Sequence, residues 1–126
     1  MRRIYLAAPL SAPTRKGVAA NRTLAASWAA WISKTFKVAV SADWIWLSGV
    51  LSETEENRRW GLACDCVHVA SCQELWMVGA HISSGMLHEM EFAKSVNVPV
   101  FNLCGAVRHE ALVRKLLADQ GWKEAA

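Results

Sequence analysis

A chain of 126 residues with 53% apolar and 20% charged residues has the size of one domain, enough apolar side chains for a core, and too little charge for a disordered tail. Its net charge of +3, spread over scattered basic residues with doublets at Arg2-Arg3, Arg15-Lys16 and Arg58-Arg59, does not point to nucleic acid as a partner. No stretch reaches the ~18 uncharged apolar residues of a membrane-spanning helix, and Pro9 with Arg15-Lys16 interrupts the start before a signal-peptide core can form, so a cytoplasmic protein with no membrane partner is expected.

Taken in chain order, Arg3 to Ala8 is a short apolar run stopped by Pro9, which predicts a buried first strand entering a loop that runs to about Gly17. From Val18 to Thr35 the residues Leu24, Trp28, Trp31 and Ile32 recur at helical spacing with alanines between them, which predicts the first helix. Lys37 to Ser41 alternates polar and apolar over a β-branched stretch, a second strand with Asp43 just past its end. Asp43 to Leu51 reads as an apolar connection, rich in tryptophan, with Gly49 as its turn.

Ser52 and Glu55 have the spacing of a capping box, so a helix is expected to start there and run to about Ser71. Cys66 to Ala70 also alternates like a strand. The helix is preferred because Glu74 to Val78 is the better strand, and two strands so close in sequence fit only as a hairpin. After Gly79 a loop leads into a helix opening at Ser84 and carrying Met86, Met90, Ala93 and Lys94. Val98 to Leu103 is the last strand, and Glu110 to Gln120 a closing amphipathic helix through Leu112, Leu116 and Leu117. Strands alternating with helices predict an α/β fold: a single Rossmann-like domain over residues 1–126, its parallel sheet of about four to five strands flanked by helices.

The four cysteines, Cys64, Cys66, Cys72 and Cys104, lack the spacing of a disulfide framework and read as free buried thiols. Cys64, Cys66, His68 and Cys72 invite a metal reading, but on a helix Cys64 and Cys66 point about 200° apart. No metal or other cofactor is expected.

In open parallel sheets ligands bind at the carboxyl ends of strands. Three such edges stand out: Ala7 to Ser11, Ser41 to Trp46, and Gly79 to Gly85. In the third, Ser83 and Ser84 offer hydroxyls, Gly85 lets a ligand approach the backbone, and the amides of a helix start attract phosphate. Glu89 stands one turn into that helix. It lies about 60° from the line through Met86 and Met90, while Glu91 is about 200° from Glu89 and faces water. Glu89 thus borders the core near the ligand end, as a nucleophile or acid–base group does. The plainer alternative is a first-turn glutamate favoured by the helix dipole. His81 and His88 bracket the loop and either touch a ligand or stay solvated. Asp43 is either a polar contact at the second edge or a cap. Tyr5 is a core tyrosine unless its hydroxyl points toward Glu89.

Tyr5-Leu6-Ala7-Ala8-Pro9, Glu74-Leu75-Trp76-Met77-Val78-Gly79, Ser84-Gly85-Met86-Leu87-His88-Glu89 and the run from Ala93 to Val100 together resemble the nucleoside 2-deoxyribosyltransferase-like superfamily, nearest to its small bacterial and phage members. The resemblance implies that Glu89, four residues after Gly85, is a nucleophile toward the anomeric carbon and that Tyr5 touches it. It gives Ser83, where deoxyribosyltransferases have an acid, the place of the serine that holds phosphate in the deoxynucleoside 5′-monophosphate N-glycosidases. Ala8, Pro9, Ser11, Asp43 and Gln73 are expected to bind substrate with Ser83, Ser84 and Gly85, and Ser11 and Arg15 are placed to meet a phosphate. Both groups carry an aspartate at the head of the strand before the loop, where this chain has Gln73. Glu74 points to the other face there, and Asp65 reads as too far upstream to substitute.

Two functions follow from the resemblance. One is a nucleotide N-glycosidase or deoxyribosyl transferase acting through Glu89 without a metal. The other is a non-catalytic module that binds a nucleotide or nucleotide signal, which Gln73 favours. The expected partner is a nucleotide or nucleoside. A homo-oligomer is also expected, because enzymes of that superfamily complete their sites with neighbouring subunits and because Trp28 and Trp31 can form one aromatic ridge on the first helix.

Overall fold

The first strand alternates its side chains, with Ile4 and Leu6 on one side and Tyr5 and Ala7 on the other, and all four are buried. A strand apolar on both faces belongs inside a sheet covered by helices on each side. The computed structural model, which describes residues 1–52 and 54–124, has that architecture.

Four strands, β1 (Arg3–Ala7), β2 (Ala39–Ser41), β3 (Glu74–Met77) and β4 (Val100–Asn102), form an all-parallel sheet in the order β2-β1-β3-β4. Register is set by Tyr5 opposite Ser41 and Leu75, and by Trp76 opposite Phe101. Helices α1 (Arg15–Phe36), α2 (Trp44–Val50), α3 (Glu55–Ala70), α4 (Ser84–Ser95) and α5 (Glu110–Asp119) flank it.

One core, on the side of Ile4 and Leu6, joins Trp28, Ile32 and Phe36 of α1 to Trp76, Phe101 and the α5 residues Val113 and Leu117. The other, on the side of Tyr5 and Ala7, joins Leu75 and Met77 to Trp44 of α2, Val69 of α3, and Met86 and Ala93 of α4. The α/β class and parallel sheet agree with the sequence reading.

The Trp-rich segment is helical where a turning connection was expected. Trp44 drives this by donating its indole N–H to the Leu6 carbonyl at 2.9 Å, which pins the segment to the end of β1. Gly49 lies inside α2, where an added Cβ would meet the Arg22 guanidinium at 3.7 Å, an ordinary van der Waals distance. The start of α3 also differs: Thr54 is the N-cap, its hydroxyl accepting from the Asn57 amide at 3.1 Å, while Ser52 instead receives the Asn57 side chain. The helix ends at Ala70 near the expected place.

Two helical faces keep part of the expected line, Trp28 and Ile32 on α1 and Leu117 on α5, and differ at the rest. On α1 the buried line runs through Ala25, Trp28, Ile32 and Phe36, leaving Leu24 exposed. On α5 it is Val113 and Leu117 that are buried, while Leu112 and Leu116 face solvent. Trp28 and Trp31 do adjoin, edge to face at 5.6 Å, but Trp28 is buried. Their ridge continues through Phe36, Trp76 and Trp122 as core, so it is not an exposed assembly surface.

Candidate active site

Two helices and one strand bring the reactive groups together. Ser83 caps α4, its hydroxyl accepting from the Met86 amide at 3.3 Å, which fixes the start of the helix. From that start the helical repeat turns Met86, Glu89 and Ala93 onto the sheet. Glu89 is only 6% exposed. Its carboxylate accepts a hydrogen bond from the hydroxyl of Tyr5, which leaves β1 on the same side of the sheet. The condition set for Tyr5 is met: its hydroxyl reaches Glu89.

A third group joins this pair. Asp65 of α3 brings its carboxyl beside the Tyr5 hydroxyl and the Glu89 carboxyl, close enough to couple with both. This corrects the expectation that Asp65 lies too far upstream. The helix assignment behind that expectation holds, yet α3 packs along α4 and turns Asp65 to the same side as its buried Val69. About 100° per residue puts Asp65 within about 40° of Val69.

Electrostatics follow from the burial. Desolvation pushes the Glu89 carboxyl up to about 8, with the nearby Asp65 charge adding to the rise and the Tyr5 hydrogen bond opposing it. Desolvation likewise raises Asp65 to about 6, against the lowering effects of Tyr5 and His68. Burial also raises Tyr5, so it stays a neutral donor. Two carboxyls this close share protons as a unit, and between about pH 6 and 8 they hold one between them. One ionised and one protonated carboxyl is the pairing that nucleophile-plus-acid chemistry at a sugar carbon requires.

Other predicted site residues lie around this trio or away from it. Asp43, at the N-terminus of α2, makes no side-chain cap bond and instead pairs with His68 of α3 at 3.2 Å. His88 Nε2 lies 3.7 Å from the Cys66 thiol, bridging α4 and α3 beside Glu89 and Asp65, and both His88 and His81 are exposed. Ser84 and Gly85 stand in the first turn of α4, with Ser84 exposed.

Ala8 and Pro9 lie at the end of β1. Pro9 packs on Gly79, where φ is +106° and an added Cβ would come within 2.6 Å of the proline ring, so only glycine fits. Ala8, Pro9, Gly79 and His81 line a cleft of about 70 Å³ with Ala25 and Trp28. That cleft does not include Tyr5, Glu89 or Asp65, so the structure does not gather Ala8 and Pro9 into one cavity with the acids.

Ser11 receives the Arg58 guanidinium at 3.3 Å, which ties the first loop to α3. Arg58 precedes Asp65 by seven residues, two turns along the same face of the helix. It is a cation on the site's side of α3 that was read from sequence only as part of a basic doublet; its spacing to Asp65 was the available signal.

Gln73 does not belong to the site. It sits before β3, at the amino edge of the sheet, where its side-chain carbonyl accepts from the Arg3 amide at 2.8 Å. Its neighbour Glu74 points to the opposite core, accepting from the indoles of Trp76 and Trp122 and pairing with Arg2.

The chain belongs to the family described as a domain of unknown function, DUF7768, whose model matches residues 2–103. That span holds all four strands, α1 to α4, and Tyr5, Asp65 and Glu89. No curated protein matches the chain. Among the described residues no helix is long and apolar enough to cross a membrane.

Proposed function

We propose that this member of the DUF7768 family is an N-glycosidase or deoxyribosyl-transfer enzyme acting on a nucleotide-like substrate, with Glu89 as nucleophile. The observation that carries this reading is the buried Glu89 carboxylate held by the Tyr5 hydroxyl with a second carboxyl, Asp65, beside it. The resemblance to the nucleoside 2-deoxyribosyltransferase-like superfamily at Tyr5 and over Ser84 to Glu89 points the same way.

In the first step, Glu89 attacks the anomeric carbon, the bond from that carbon to the base nitrogen breaks, and Asp65 gives its proton to the departing base. Tyr5 donates to Glu89 and opposes the rise that burial causes; the shared proton rests on Glu89, and the attacking form is the one in which it has passed to Asp65. In the second step water, or the nitrogen of another base, attacks the same carbon and loses a proton to Asp65, and the glycosyl ester to Glu89 breaks. Ser83 uses its oxygen lone pair for the cap but keeps its O–H free to donate. With the Ser84 hydroxyl and the first amides of α4 it suits a phosphate.

The test is base release from a panel of deoxynucleoside 5′-monophosphates and nucleosides. Wild-type protein is expected to release base, and Glu89→Gln to lose turnover on the order of 10³-fold or more. Unchanged release in the variant overturns the mechanism. A thermal shift with nucleotide but no released base from the wild type supports the alternative of a non-catalytic binding module. The ground for that alternative was Gln73 standing where an aspartate was expected, and Asp65 now offers an acid from a different element.

A further inference from the structure

We propose that α3 pairs with α3 of a second copy of this chain, antiparallel, about a twofold axis passing beside Ala63 and Cys64. A helix covering a sheet normally turns its apolar face inward and its charges outward. In α3 both faces carry apolar residues. Val69, the helix's one buried residue, lies on the inward side with Leu62, Asp65 and Arg58. Directly opposite, about 180° round the axis, stands Trp60, with Ala63, Cys64 and Val67 within about 60° of it. Trp60 is 64% exposed and Val67 69%.

The arrangement of this stripe selects a second copy as its occupant. Trp60 and Val67 are equally far from the midpoint between Ala63 and Cys64, so a twofold there sets each Trp60 against the partner copy's valine and the two small pairs at the crossing. A surface that repeats itself about its own centre is what a symmetric dimer contact needs. Small residues at the centre let the helix axes approach closely.

The area is of the right order as well. Helix α2, packed beside α3 on the same side of the sheet, adds Trp46 at 62% and Val50 at 71% exposure. With a tryptophan presenting about 150–250 Å², full cover of these four side chains removes on the order of 500 Å² per copy. The intervening small residues bring this toward the ~800 Å² per partner of a stable interface. Pairing would clamp the helix that carries Asp65.

Sedimentation of the full chain at micromolar concentration tests the pairing. The wild type is expected to run as a dimer, and Trp60→Glu and Val67→Glu as folded monomers with unchanged far-ultraviolet circular dichroism. A short bismaleimide is expected to link two chains through Cys64, giving a dimer band that disappears in Cys64→Ser and persists in Cys104→Ser. The crosslink decides the matter even where a glutamate variant fails to fold. A monomeric wild type overturns the proposal, as does a dimer that both glutamate variants leave intact or whose crosslink survives Cys64→Ser.

Discussion

Glu89 pays for its position in stability. In the unfolded chain both carboxyls ionise in the ordinary range near pH 4, while in the native protein Asp65 keeps its proton to about 6 and Glu89 to about 8. The folded state therefore binds more protons between these limits, and stability falls as pH rises through that window. The loss is complete above about pH 8. Glu89→Gln removes the titrating group. Its melting temperature relative to wild type is expected to climb steadily between pH 5 and about 8 and then level, with roughly 1.4 kcal/mol for each pH unit in that window. Calorimetric scans at four pH values measure it, and a difference that stays flat with pH would remove the case for a buried, charged Glu89.

At the scale of elements, what the sequence revealed depended on whether a local signal existed. Helix α4 was readable from its opening at Ser84 and from the spacing of Met86, Met90 and Ala93, so Glu89 was found with its direction correct. Asp65 was missed because its place was judged by distance along the chain from β3, whereas side-by-side packing of α3 and α4 delivers it. Helix α2 carried no local signal: it is seven residues long, contains Gly49, and its leading residue Asp43 makes no cap bond. What makes it a helix is tertiary, the Trp44 indole bonded to β1. The start of α3 offered two hydroxyls, and only Thr54 reaches the Asn57 amide. Thr54→Ala is expected to cost about 1 kcal/mol in urea unfolding, and Ser52→Ala only a few tenths, since it loses one exposed contact with the Asn57 side chain. Equal costs for the two would return the cap to Ser52.

For the whole molecule, the family span and the folding unit do not coincide. The matched residues end at 103, yet the core around Ile4, Leu6, Trp76 and Phe101 is closed by Val113 and Leu117 of α5 and by Trp122. Trp122 bonds Glu74 at 2.9 Å, Arg2 stacks on its ring at 5.1 Å and also bonds the Lys123 carbonyl, so the two ends of the chain clasp one another at the amino edge of the sheet. Without residues 104–126 one face of the sheet would expose Trp76, Phe36 and Phe101 together, and the Glu74 carboxylate would lose one of its two indole donors. Uncovering these three side chains at about 1.5–3 kcal/mol each takes away an amount comparable to the roughly 5–15 kcal/mol that holds a domain of this size. A chain ending at Leu103 is therefore expected to lose its cooperative thermal transition and its near-ultraviolet tryptophan signal, and to bind a hydrophobic dye. A sharp transition close to the wild-type midpoint would mean that α5 is an appendage and that the site needs only the sheet and the helices α2, α3 and α4 on its other face.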